Sequence, residues 1–122
     1  MIDVWGGWLK PLVKNSVFDS LDYGSKILYA LLFDEFYSNS EFVELSKKDP
    51  KSYPLNNPDN HLDEDGNVIV VYPAEKIMDD MRCTKSAAMR MMKRLDDIGL
   101  IDRKIRGLGK PTLIYVKGDR WR

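Results

Sequence analysis

The residues best suited to chemistry lie between Thr84 and Lys110. Lys85, Ser86, Met89, Arg90 and Lys93 are spaced so that a helix would gather them on one side. Thr84 and Ser86 fall at the end of such a helix where backbone amides are free, so their hydroxyls and those amides can meet an anion. A second group follows, with Arg103, Lys104, Arg106 and Lys110 around Gly107 and Gly109. Glycine at such points lets the backbone come close to another chain. Long cations beside hydroxyls and glycines are the chemistry of polyanion binding, in which each cation neutralises a phosphate and releases its counterions.

Competing chemistries find little support. The chain holds one histidine and one cysteine, which excludes an internal disulfide, a multi-cysteine zinc site and most histidine-based catalysis. Gly107-Leu108-Gly109-Lys110 resembles part of a phosphate loop. However, Pro111 stands where a Ser or Thr would hold magnesium, and no helix follows. Asp63, Asp65 and Gly66 imitate part of a calcium loop, but His61 and Tyr72 occupy its first and twelfth positions, so an acidic turn is the simpler assignment. His61 reads as a loop residue and Cys83 as a small packing residue. Asp79-Asp80 belongs to no acid/base pair, and Met78, Met81, Met91 and Met92 read as core filling. No enzymatic activity, cofactor or metal is expected.

The average charge hides an asymmetry. The 122 residues carry 19 Lys+Arg and 19 Asp+Glu, for a net charge of zero. Residues 1–81 hold 7 cations against 15 acids, whereas residues 82–122 hold 12 against 4. A basic third and an acidic remainder suggest a polyanion-binding face with an acidic back. At 43% hydrophobic, the composition is that of a globular domain. The longest apolar run, Ile27 to Phe33, is far too short to span a bilayer. Met1 to Lys10 has no signal-peptide pattern, so a cytoplasmic protein without membrane contact is expected.

The elements that must position the basic residues can be read in turn. Residues 1–20 form an arm in which Trp5, Trp8, Leu9, Leu12, Val13 and Phe18 are available to pack on the chain's own core or on a second copy. Asp22 caps a helix to about Ser40, with Ile27, Leu28, Leu31, Leu32 and Phe36 as its buried stripe. Residues 41–62, punctuated by Pro50, Pro54 and Pro58, read as an exposed loop with room for a short helical stretch near Glu41–Lys47. A turn at 63–67 leads into a strand over Val68–Tyr72. Pro73 and Glu75 open a helix from Ala74 to Met81. Thr84 caps the next, Lys85 to Ile98, which Gly99 closes. Ala88, Met91, Leu95 and Ile98 lie on its apolar face, with Met92 at the edge and Arg94 flanking the polar face. Leu100–Ile105 and Thr112–Val116 form a hairpin with the basic, glycine-rich tip, and Lys117 to Arg122 are a basic tail.

Helix, strand, helix, short turn, basic helix and basic hairpin make a winged helix-turn-helix of the α+β class, spanning residues 21–117 between the arm and the tail 118–122. Its expected partner is double-stranded DNA. The helix from Lys85 fits a major groove about 12 Å wide. Lys85, Arg90 and Lys93 would meet phosphates or base edges, with Met89 against a thymine methyl. The hairpin, through Arg103, Lys104, Arg106, Gly107, Gly109 and Lys110, would follow the sugar–phosphate chain.

The chain also resembles the N-terminal domain of RepA-type plasmid replication initiators of low-GC Gram-positive bacteria. The resemblance rests on Ser25 to Leu32, Asp63 to Val68, Cys83 to Ala87, Gly99 to Lys104, Arg106 to Pro111 and Ile114 to Val116. As an ordered set these cover about residues 10–117. The chain departs from the family at Asp34-Glu35, where an Asp-Arg is usual, and in its longer proline-rich 41–62 segment. The resemblance implies recognition of repeated origin sequences, commonly as a homodimer. It also implies a linker and a C-terminal domain for host replication proteins. The sequence stops at Arg122, which fits either a domain fragment or a short relative. A winged-helix transcription regulator and a replisome-loading interaction module are the alternative readings.

Overall fold

The computed structural model describes residues 10–55 and 61–117. Trp5, Trp8 and Leu9 of the arm, and the tail from Gly118 to Arg122, lie outside the described residues. A helical turn at 10–14 and a 3-10 turn at Ser16–Phe18 lead into helix α1 (Tyr23–Lys48). Helix α2 (Ala74–Met81), helix α3 (Lys85–Asp97) and strands β1 (Ile101–Lys104) and β2 (Leu113–Val116) follow. The strands pair antiparallel, with Ile101 opposite Val116 and Lys104 opposite Leu113. This is an α+β winged helix-turn-helix, with α2 and α3 as the helix pair and β1–β2 as the wing.

α1 and α3 start where their capping chemistry sits. The Asp22 carboxylate accepts the Ser25 N–H at 3.2 Å, and the Thr84 hydroxyl oxygen accepts the Ala87 N–H at 3.1 Å. Between α2 and α3 the chain turns at Arg82, whose φ of 50° is left-handed. Its N–H bonds back to the Met78 carbonyl. That conformation reverses the chain in three residues and costs a non-glycine residue about 1 kcal/mol.

Three sequence expectations need correction. Ile27, expected in the buried stripe of α1, is 52% exposed. α1 does not stop near Ser40 but runs 26 residues to Lys48, replacing the first part of the expected 41–62 loop. Its second half looks polar, but Val43 and Ser46 are buried and the Phe42 ring stacks on His61 at 5.4 Å. Lys47 and Lys48 suit the negative end of the dipole, and the helix ends at Asp49, ahead of Pro50. Val68–Tyr72 is not a continuous strand. Val68 bridges Leu62, and Val70 bridges Ile114 through two 2.9 Å hydrogen bonds, so β2 gains a single-rung second partner beside β1. The turn before Val68 is held by the Asp63 carboxylate, which accepts the N–H groups of Asp65 and Asn67, and by backbone bonds between Asp63 and Asn67 and between Gly66 and Asp63.

One core holds these pieces. Leu28, Tyr29, Leu32 and Phe33 of α1 meet Ile77 of α2, then Ala88, Met91, Met92 and Leu95 of α3. Leu100, Ile101, Ile114 and Val116 close it from the wing, and Leu12, Phe18 and Leu21 close it from the N-terminal side. Buried Tyr29 donates its hydroxyl to the Lys117 carbonyl at 2.6 Å, tying α1 to the end of β2. The core therefore fixes the wing and α3 against the same long helix. Truncating a fully buried leucine there, such as Leu95, would cost about 2–5 kcal/mol.

Candidate nucleic-acid interface

α3 buries Ala88, Met91, Met92 and Leu95, so rotation about its axis turns Ser86, Met89, Arg90 and Lys93 outward. Lys85, Ser86, Arg90 and Lys93 are exposed, and Met89 is half exposed. The expected polar face of this helix therefore does face solvent. Thr84 is exposed too, but its oxygen already accepts the Ala87 amide. Its hydroxyl hydrogen and one lone pair remain for another partner.

The cations are not equivalent. Among the described residues, no carboxylate pairs with Lys85, Arg90, Lys104 or Lys110. Lys93 pairs with Asp97 at 2.8 Å, one turn along the same exposed face. Arg103 is half-buried, and its Nε pairs with Asp96 at 2.9 Å. Lys117 pairs with Asp102 at 2.8 Å. Arg106 turns its Nε to the Pro111 carbonyl at 3.1 Å, bracing the wing from within. Arg94, at the edge of α3, reaches the Ser20 carbonyl at 3.4 Å.

The wing tip is shaped by its glycines. Gly107 and Gly109 have φ of 104° and 77°, and the Lys110 N–H bonds to the Gly107 carbonyl at 3.3 Å. An L-residue at either position would be strained. Nothing lies within 4 Å of where a side chain on them would begin, so the backbone there is open to approach. The tip and α3 stand side by side. Met89 and Met92 from α3, Arg103 and Lys110 from the wing, and Tyr72 and Pro73 line one groove of about 310 Å³. The structure thus brings Met89, Arg103 and Lys110 together. Lys85 and Arg90 lie on the outward face of α3, and Lys104 at the end of β1.

Arg82 was missed in the sequence. It is exposed, two residues before the α3 cap, and adds a cation to that end of the helix. The signal was its position in the turn, where a cation has no packing role.

The acidic groups beside the groove and at the 63–67 turn are internally bonded. Lys76 of α2 pairs with Glu35 of α1 at 3.0 Å and lies over the Tyr72 ring. Tyr72 donates its hydroxyl to Asp80, and burial followed by that carboxylate pushes the hydroxyl well above its ordinary pKa. At the 63–67 turn, desolvation pushes the Asp63 carboxyl up. Hydrogen bonds from Asn67, the Tyr115 hydroxyl and Asp65 outweigh this and hold it at about 2. Among the described residues no helix is long and apolar enough to cross a membrane.

Comparison with known proteins agrees with this architecture. A solved structure described as the N-terminal domain of a DNA-binding protein is 31% identical, with a TM-score of 0.61. The match covers 89% of this chain and 70% of that one. A second, described as a Rep–DNA complex, has the same identity and TM-score and covers 89% and 71%. A third, described as an MDR initiator, is 23% identical with a TM-score of 0.58 and shares the fold. Among curated proteins none matches. The family profile described as the N-terminus of replication initiator protein A (RepA) matches residues 8–120. The chain belongs to this family of replication initiator N-terminal domains.

Proposed function

We propose that this domain recognises double-stranded DNA sequence-specifically, at repeated sites in a plasmid or phage replication origin. α3 enters the major groove by its N-terminal half, and the wing follows the adjacent backbone. The observation that carries this is the placement of unpaired cations. Lys85 and Arg90 on α3, and Lys104 and Lys110 on the wing, are exposed and, among the described residues, have no carboxylate partner, on elements that flank one groove. The likeness to the protein in a structure described as a Rep–DNA complex supports DNA binding. The domain's part is binding, with no catalytic step of its own. Homodimerisation on the repeats and contact with host replication proteins belong to the same proposal. Exposed Val13, Val17, Tyr23 and Ile27 offer apolar surface for such a contact.

The test is selection of duplexes from a random pool, followed by salt titration on the selected site and on a scrambled one. Three phosphate contacts per chain, or four if Arg90 also meets a phosphate, predict a slope of about −3 to −4 in log K against log salt. Preference for the selected site should survive at physiological salt. A flat slope, or equal affinity for the scrambled duplex, overturns the proposal.

A further inference from the structure

Cation placement leaves one surface feature unused. Leu108 is fully exposed at the wing tip, and Ile105, three residues earlier, is 82% exposed. A loop that touched only phosphates would gain nothing from two large aliphatic side chains in water.

The tip is preformed rather than slack. The Lys110 N–H to Gly107 carbonyl bond closes a four-residue turn. The left-handed Gly109 at its third position is the mark of a type II turn, which sets Leu108 at the second, outermost corner. Arg106, braced on Pro111, and Lys110 flank it within two residues. An aliphatic point between two cations matches a narrow slot with anionic walls and a less polar floor. The minor groove of duplex DNA, about 6 Å wide, is such a slot. Leucine and isoleucine are among the side chains able to wedge between its base steps. The position is continuous with the proposed interface, because Lys110 also lines the groove shared with Met89.

We propose that Leu108 is a minor-groove wedge that makes binding depend on the base pairs flanking the site contacted by α3. This rests on the DNA-binding reading above. The guanine N2 amine is the group that obstructs the minor-groove floor. Inosine lacks that amine and leaves the major groove unchanged. A wedge therefore prefers inosine–cytosine pairs to guanine–cytosine pairs, and a purely major-groove reader does not.

The experiment measures binding of the whole chain to two duplexes of equal length, each carrying the selected site, flanked by alternating deoxyinosine–deoxycytidine in one and by alternating deoxyguanosine–deoxycytidine in the other, across a salt series. Wild type should bind the inosine duplex more tightly. Leu108→Ser should lose roughly 5–30-fold on that duplex, the scale of burying part of a leucine. Its two affinities should then converge, with an unchanged salt slope because no charge is removed. Leu108→Met should keep the preference. The site is fully exposed, so the variants fold as wild type does. Equal wild-type affinity for the two duplexes, with a normal slope, overturns the wedge and leaves DNA binding standing. So does a Leu108→Ser variant that keeps the inosine preference, or one whose only change is loss of a self-associated state in sedimentation. Failure of wild type to bind either duplex overturns both proposals.

Discussion

The N-terminal half of α3 and the region where its C-terminal half meets β1 are similarly basic in sequence but differ in the folded molecule. Lys85 and Arg90 in the first project into solvent with no acidic partner among the described residues. Lys93 and Arg103 in the second are each held by an aspartate, Asp97 and Asp96. Counting cations along the chain weighs all four alike. What a polyanion meets is only the unpaired set, together with whichever pairs are loose enough to exchange partners. The Lys93–Asp97 pair is mostly exposed and worth little. The Arg103–Asp96 pair is half-buried and holds the wing to α3.

The largest effect that would break this comparison is expected at Arg90. Arg90→Ala should cost about 1–3 kcal/mol of affinity on the selected site if the guanidinium contacts a guanine, and much less on a scrambled site. A uniform loss on both would make Arg90 a backbone contact. Lys110→Ala comes next. It should weaken binding to all sequences and flatten the salt slope by about one unit, as loss of one phosphate contact does. An unchanged slope would remove the wing from the interface.

The comparison is sharpened by freeing a paired cation instead of deleting an unpaired one. Asp97→Asn removes the partner of Lys93 and a negative charge from the exposed face of α3. Affinity should rise by about 0.5–1 kcal/mol and the salt slope steepen by less than about one unit. Thermal stability should change by less than about 0.5 kcal/mol, since the pair is exposed. Affinity that stays flat in titration would show that Lys93 never reaches the DNA. The unpaired half of α3 would then make up the whole helical interface.

The parts of the fold that were legible are those with chemical punctuation. Pro73, Thr84 and Gly99 mark the ends of α2 and α3, and Gly107 and Gly109 mark the wing. The second half of α1 has no such mark. Its residues are mostly polar, and contacts such as Phe42 with His61 join it to partners distant in sequence. Proline and asparagine further on dominate the composition and conceal it. The candidate site shows the same split. The spacing of Lys93 and Asp97 at i,i+4 was open to reading as an ion pair. The pairing of Arg103 with Asp96 needs β1 to fold back beside α3, which periodicity does not reveal.

The acids repeat the contrast in a form that pH can resolve. Asp97 in the basic third is held only by a cation on the surface. Asp63 in the acidic part is held by neutral donors: two backbone amides, the Asn67 side chain and the Tyr115 hydroxyl at 2.8 Å. Those donors favour the carboxylate and outweigh its desolvation, so the folded-state pKa falls from 3.8 to about 2. A lowered pKa stabilises the fold fully above the unfolded value. That contribution should therefore be intact above about pH 3.8 and disappear as the pH falls to about 2. Urea midpoints measured for wild type and Asp63→Asn should differ at pH 5 and converge near pH 2. High salt should leave the difference at pH 5 in place, because the donors are neutral dipoles within hydrogen-bond distance. Curves that run parallel from pH 5 to 2 would mean that the turn is held without its carboxylate. A difference that salt abolishes would assign Asp63 to the same surface electrostatics as Asp97.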